Sequence, residues 1–108
     1  MYLENDHLDL YKYAGRYRIR FLERLVDILS DGEQLKVEFP GMPSEYAILL
    51  IPEGENRFRI KGGPIHGDVA EVLLDSDKRV VGVRAGPYLL DREGEIPAER
   101  GQDGNGKQ

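Results

Sequence analysis

Arg16-Tyr17-Arg18-Ile19-Arg20-Phe21 is the stretch that decides the fold. Its period is two: Tyr17, Ile19 and Phe21 share one side, and three arginines occupy the other. Successive side chains of a strand point to opposite faces, so this alternation describes a strand with one dry face and one wet face. Gln34-Leu35-Lys36-Val37-Glu38-Phe39 repeats the pattern and buries Leu35, Val37 and Phe39. Arg57-Phe58-Arg59-Ile60-Lys61 repeats it a third time. Half-buried strands of this kind belong to antiparallel sheets, because parallel strands are covered on both faces and read as continuous apolar runs.

Working outward, strand-like runs cover Arg24 to Ser30, Tyr46 to Ile51, Val69 to Leu74, Val80 to Ala85 and Tyr88 to Asp91. Turn chemistry separates them: Asp31-Gly32, Pro40-Gly41-Met42-Pro43, Glu53-Gly54-Glu55-Asn56, Gly62-Gly63-Pro64, Asp75-Ser76-Asp77 and Ala85-Gly86-Pro87. About eight short strands joined by tight connections predict an all-β, eight-stranded antiparallel up-and-down barrel or half-barrel. No gap is long enough for the crossover helix that a parallel pair needs. Tyr46 to Ile51 and Val69 to Leu74 are apolar on both faces, as central strands with a greasy outer face would be, or strands covered by a docked helix or a partner.

Ahead of the strands, residues 6–14 predict a short helix, with Asp6 as N-cap, Asp9 in the first turn and Gly15 as the stop. It is too short to stand alone and must dock through Leu8, Leu10 and Tyr11. Residues 1–92 therefore read as one β domain (helix 6–14, strands 16–92). The Glu-, Gly- and Gln-rich residues 93–108 read as a disordered tail.

The totals exclude several function classes. A chain of 108 residues with 40% apolar residues supports one core, and a net charge of −5 opposes bulk binding to nucleic acid or anionic lipid. Without cysteine there are no disulfides, zinc thiolates or thiol nucleophiles. Met1 to Leu10 has no continuous apolar run and reads as neither signal peptide nor membrane span, which leaves the compartment open. Threonine and tryptophan are absent, and arginine outnumbers lysine by ten to five.

Catalytic chemistry finds little support. Ser30, Ser44 and Ser76 lie at strand ends beside acids or turns, and none has a lysine three positions on or a G-x-S-x-G elbow. His7 and His66 are far apart, with no second histidine at ligand spacing. Asp75-Ser76-Asp77-Lys78-Arg79 opens like a calcium loop, but Val80 and Gly86 stand where its glycine and bidentate glutamate belong. Gly62-Gly63-Pro64 lacks the lysine and helix of a phosphate cradle. The expectation is a non-enzyme with no catalytic, cofactor-binding or metal-binding residues. Two features have direction. Arg16, Arg18 and Arg20, joined by Arg24, Arg57 and Arg59, form either a solvated strand face or a docking face for an acidic partner. Tyr17, Phe21, Val37, Phe39, Phe58 and Ile60 would line the barrel interior, either as core or as walls around one apolar molecule.

Four segments, in order, resemble one family. Leu10-Tyr11-Lys12-Tyr13-Ala14-Gly15-Arg16-Tyr17 is similar to its opening "L-x-x-Y-x-G-x-Y", and Asp31-Gly32-Glu33-Gln34-Leu35 to Gly41 is similar to its "D-G-x-L" hairpin with Pro-Gly. Leu50-Ile51-Pro52-Glu53 to Phe58 resembles "L-x-P-E-x-x-x-x-F", and Leu74-Asp75 to Val83 resembles "F-x-x-D-x-x-G-x-V-x-G-l", with Arg79 in place of its usual turn glycine. Over Leu8 to Arg92 the chain thus resembles the lipocalin-like C-terminal domain appended to serine hydrolases of the β-lactamase and penicillin-binding-protein superfamily. The resemblance implies a barrel with no active site of its own. It also implies a role in docking on, or shaping access to, a serine hydrolase catalytic domain in cis or in trans, or in self-association. The alternative is a stand-alone barrel holding an apolar small ligand. Neither reading involves nucleic acid or membrane insertion.

Overall fold

Each alternating segment becomes a strand, and the strands follow one another around a single closed antiparallel barrel in sequence order. A computed structural model of the chain describes residues 10–97. The strands are β1 Gly15–Ile19, β2 Arg24–Ser30, β3 Leu35–Glu38, β4 Ile48–Gly54, β5 Arg57–Lys61, β6 Val69–Leu74, β7 Val80–Ala85 and β8 Tyr88–Gly94. β8 pairs back on β1 and closes the ring, so neither β1 nor β8 keeps a free edge. Among the described residues the chain is all-β apart from two 3-10 segments, Leu10–Tyr13 and Ser44–Tyr46.

Several boundaries differ from the sequence reading, each for a local reason. The helix expected over 6–14 is, within the described residues, one 3-10 turn at Leu10–Tyr13; Asp6, His7 and Leu8 lie outside them. Gly15 does not cap it but opens β1. A Cβ there would lie 2.8 Å from both the Arg92 Nη2 atom and the Gly94 carbonyl oxygen, so glycine lets β8 approach where the closing seam shifts register. β1 ends at Ile19 rather than continuing through Phe21, because Arg20 to Glu23 form a tight turn closed by the Glu23 N–H to Ile19 carbonyl bond of 2.8 Å. Tyr46 belongs to a 3-10 turn, and β4 starts two residues later. β8 runs to Gly94, beyond the expected domain limit at residue 92; residues 98–108 lie outside the described part.

The interior follows strand parity. Tyr17 and Ile19, Val26 and Ile28, Leu35 and Val37, Phe58 and Ile60, Ala70 and Val72 form its buried pairs, with Leu50, Val83 and Leu90 between them. The 3-10 helix adds Leu10 and Tyr13 to the same core. Removing this apolar area from water is the main favourable term in such a fold. In the 75–79 turn the left-handed residue is Lys78, at φ 64°. Asp75 Oδ1 accepts the N–H groups of Asp77 and Arg79 at 2.8 and 2.9 Å, so the carboxylate that resembled a calcium ligand holds its own turn.

Candidate functional site: an apolar cup at one end of the barrel

Up-and-down connectivity sorts the loops between two ends. The β1–β2, β3–β4, β5–β6 and β7–β8 connections lie at one end; the other three lie at the opposite end with the 3-10 helix.

Aromatic side chains fill the helix end. Tyr17 on β1 is fully buried, and its hydroxyl donates to the Tyr13 carbonyl oxygen at 2.7 Å. The Tyr13 ring meets the Phe58 ring edge-on, with centroids 5.4 Å apart and planes at 88°. The Tyr13 hydroxyl donates to Asn56 Oδ1 at 2.6 Å. Asn56 is held left-handed (φ 59°) in the β4–β5 turn, and its carbonyl accepts the Val72 N–H at 2.9 Å. Burial pushes the Tyr17 phenol pKa up to about 12, with the nearby Arg92 charge opposing the shift. Helix, turn and strands thus form one plug.

The opposite end is open and holds a cup of about 200 Å³. Ile19, Val26, Ile28 and Val37 form one wall; Ile48, Leu50 and Ile60 form the next; Val83, Ala85, Tyr88 and Leu90 close the circle. Loop residues Leu22, Phe39, Pro64 and Ile65 extend it to the mouth. All fifteen lining residues are apolar or aromatic, and the Tyr88 hydroxyl is the sole side-chain polar group among them. An apolar cavity of roughly 150 Å³ is enough to admit a benzene-sized molecule. Around the mouth Phe21 and Leu22 are 77% and 57% exposed, and Met42 and Tyr46 are 43% and 55% exposed.

The residues expected inside divide accordingly. Val37, Phe39 and Ile60 line the cup. Tyr17 and Phe58 are core residues of the plug and do not line it. Phe21 neither lines nor packs; it projects from the β1–β2 turn beside the mouth. The sequence reading missed the strand residues Ile19, Val26, Ile28, Leu50, Val83 and Leu90 as lining residues, and also Leu22, Ile48, Pro64, Ile65, Ala85 and Tyr88. For the last six there was a signal in position, since all lie at or next to connections of the open end.

The arginine stripe is a set of ion pairs within the barrel. Arg16 stands opposite Asp27, whose carboxylate is fully buried and receives Arg16 Nε and Nη2 at 2.8 and 3.1 Å. Arg18 Nε reaches Glu93 at 3.1 Å and Arg20 Nη2 reaches Asp91 at 2.7 Å, both across the closing seam. Hydrogen bonding to these acids raises the pKa of all three guanidiniums, and Arg20 in turn lowers that of Asp91. Arg59 pairs likewise with Glu53 at 2.7 Å, and Arg57 and Arg84 share Glu71 at 3.4 and 3.3 Å. Little of the expected docking charge is left uncompensated.

The hydrogen-bonding side chains considered for chemistry serve turns. His66 Nδ1 accepts the Gly62 N–H at 2.8 Å, and Ser30 Oγ accepts the Gly32 N–H at 3.0 Å. Among the described residues no three His, Asp or Glu side chains converge as metal ligands, and no helix is long and apolar enough to cross a membrane. Compared with protein families, curated proteins and solved structures, the chain matches none of them.

Proposed function

We propose that the protein is a small binding barrel that takes up one apolar molecule through its open end. The observation that carries this reading is the lining of a cup that the core does not fill, apolar but for the Tyr88 hydroxyl, at the end opposite a tightly packed plug. Small-ligand sites are concave and mostly apolar, and the mouth of a barrel is one of their preferred places. Release of water from such walls favours binding without any directed polar contact.

The test is a titration of isoleucine-methyl-labelled protein with toluene, followed by NMR. Ile19, Ile28, Ile48, Ile60 and Ile65 line the cup, while Ile51 lies on the outward parity of β4 and serves as an internal control. The expected result is saturable shifts of the five lining methyls with Ile51 unmoved. Shifts absent from the cup, or spread equally to Ile51, would overturn the reading.

A second reading is a non-catalytic accessory domain docked on a serine hydrolase catalytic domain or on a second copy. Its support is the exposed apolar rim of Phe21, Leu22, Met42 and Tyr46 rather than the internally paired arginines. Concentration-dependent self-association, lost on replacing rim residues by serine, would favour it over the carrier.

A further inference from the structure

The cup has apolar walls but a charged mouth, and one arginine there differs from the others. Arg24 opens β2 on the same parity as Val26 and Ile28, the two β2 residues that line the cup. Its guanidinium carbon lies 5.7 Å from the centroid of the Phe39 ring, which is itself part of the lining. That position stacks a cation over the lip of the cup. Arg16, Arg18, Arg20, Arg57, Arg59 and Arg84 each have an acid within 4 Å, whereas Arg24 makes no ion pair with any described residue. Arg79 and Arg92 make none either, but Arg79 follows the β6–β7 turn at the plug end and Arg92 donates to the Ala14 carbonyl oxygen there. The neighbouring acid on β3, Glu38, has the opposite parity to Val37 and Phe39 and lies 3.5 Å from Lys36. Of the other acids at this end, Glu23 lies 3.7 Å from Arg18, Glu45 is exposed in the β3–β4 connection, and Asp68 sits against Gly86 at the β7–β8 turn.

We infer that the cup selects amphiphiles with an anionic head, such as a short alkyl carboxylate: the body enters the cup and the carboxylate stays at the mouth against Arg24. This rests on the binding-barrel reading and adds the head-group chemistry to it. The walls dictate the head's position, because an ionised group carried inward would meet only hydrocarbon and the Tyr88 hydroxyl. At the mouth it keeps its water on one side and gains a guanidinium whose planar fork suits a carboxylate. With a protein net charge of −5, long-range attraction does not draw anions in, so the preference must come from this local contact.

The experiment compares octanoate, 1-octanol and octylamine on the native protein at neutral pH by the methyl-detected titration. Octanoate should bind tighter than octanol by roughly three- to ten-fold, the range for a partly exposed charge-assisted contact, with octylamine weakest. Arg24→Gln should bring the octanoate-to-octanol ratio close to one, Arg24→Lys should keep part of it, and Arg84→Gln on the outer wall should leave it unchanged. A ratio near one in the native protein, or one that survives Arg24→Gln, overturns the head-group assignment while the cup stands. If none of the three probes moves the cup methyls, the binding-barrel reading fails and this inference falls with it.

Discussion

Tyr17 shows how one residue ties the plug to the stability of the whole. Its hydroxyl donates to the Tyr13 carbonyl oxygen at 2.7 Å, and the fully buried ring leaves a phenolate little solvation beyond the opposing contribution of Arg92. The folded-state pKa is raised, to about 12 from the ordinary value of 10, so the neutral form favours the native state. That contribution is complete below pH 10 and is lost as pH climbs through 12, because above it the unfolded chain holds the phenolate more easily. Two pKa units correspond to about 3 kcal/mol. Urea unfolding across that window should therefore show native Tyr17 protein losing stability steeply. Tyr17→Phe should be weaker by about 1 kcal/mol at neutral pH, from the lost hydrogen bond, and should lack most of the alkaline fall. An equally steep fall in Tyr17→Phe would assign the alkaline sensitivity to another group.

At the scale of elements, the β1–β2 connection is where sequence and structure part most clearly. Alternation from Arg16 to Phe21 is unbroken, and no glycine, asparagine or proline announces the turn. Glu23 nevertheless takes the left-handed conformation at φ 54°, where glycine or asparagine is the usual occupant. Phe21, placed by parity inside, thus stands outside. Phe21→Ser should change unfolding free energy by no more than about 0.5 kcal/mol, as at an unconstrained surface site, whereas Phe58→Ala should cost about 3–5 kcal/mol. Comparable losses from the two substitutions would return Phe21 to the core. The other strands were legible because each carries its own evidence: β5, β6 and β7 lie between turn residues at both ends, and β2 stops at Asp31-Gly32. Parity also told which residues point inward, but not how high each stands along the barrel axis. Tyr17 and Phe58 share the parity of Ile19 and Ile60, yet they belong to the plug and the latter pair to the cup. That distinction depends on cross-strand register and on the docking of Leu10–Tyr13, neither of which periodicity encodes. The arginine stripe was legible as a stripe only; its acids, Asp27, Asp91 and Glu93, are remote in sequence and meet it through β1–β2 pairing and closure of the ring.

The whole molecule is asymmetric along its axis, packed at one end and hollow at the other, and this sets stability against binding. Interiors are normally filled to crystal-like density, so a cup left open forgoes contacts that a bulkier residue would make. Ala85 is the smallest side chain in the lining, and it lies opposite Tyr88 and Ala70 on the neighbouring strands. Ala85→Leu places added methyl groups in the hollow without disturbing the plug. It should raise the urea midpoint at unchanged m, a gain of about 0.5–2 kcal/mol for cavity filling, and should weaken or abolish the toluene-induced methyl shifts. The two effects must move in opposite directions if the hollow exists for a ligand. A variant that loses stability would mean that the rim already folds over the space, since overpacking a filled interior costs about 1–3 kcal/mol. A variant that gains stability and binds toluene as before would place the binding surface elsewhere, on the exposed Phe21, Leu22, Met42 and Tyr46 rim, and so favour the docking domain over the carrier.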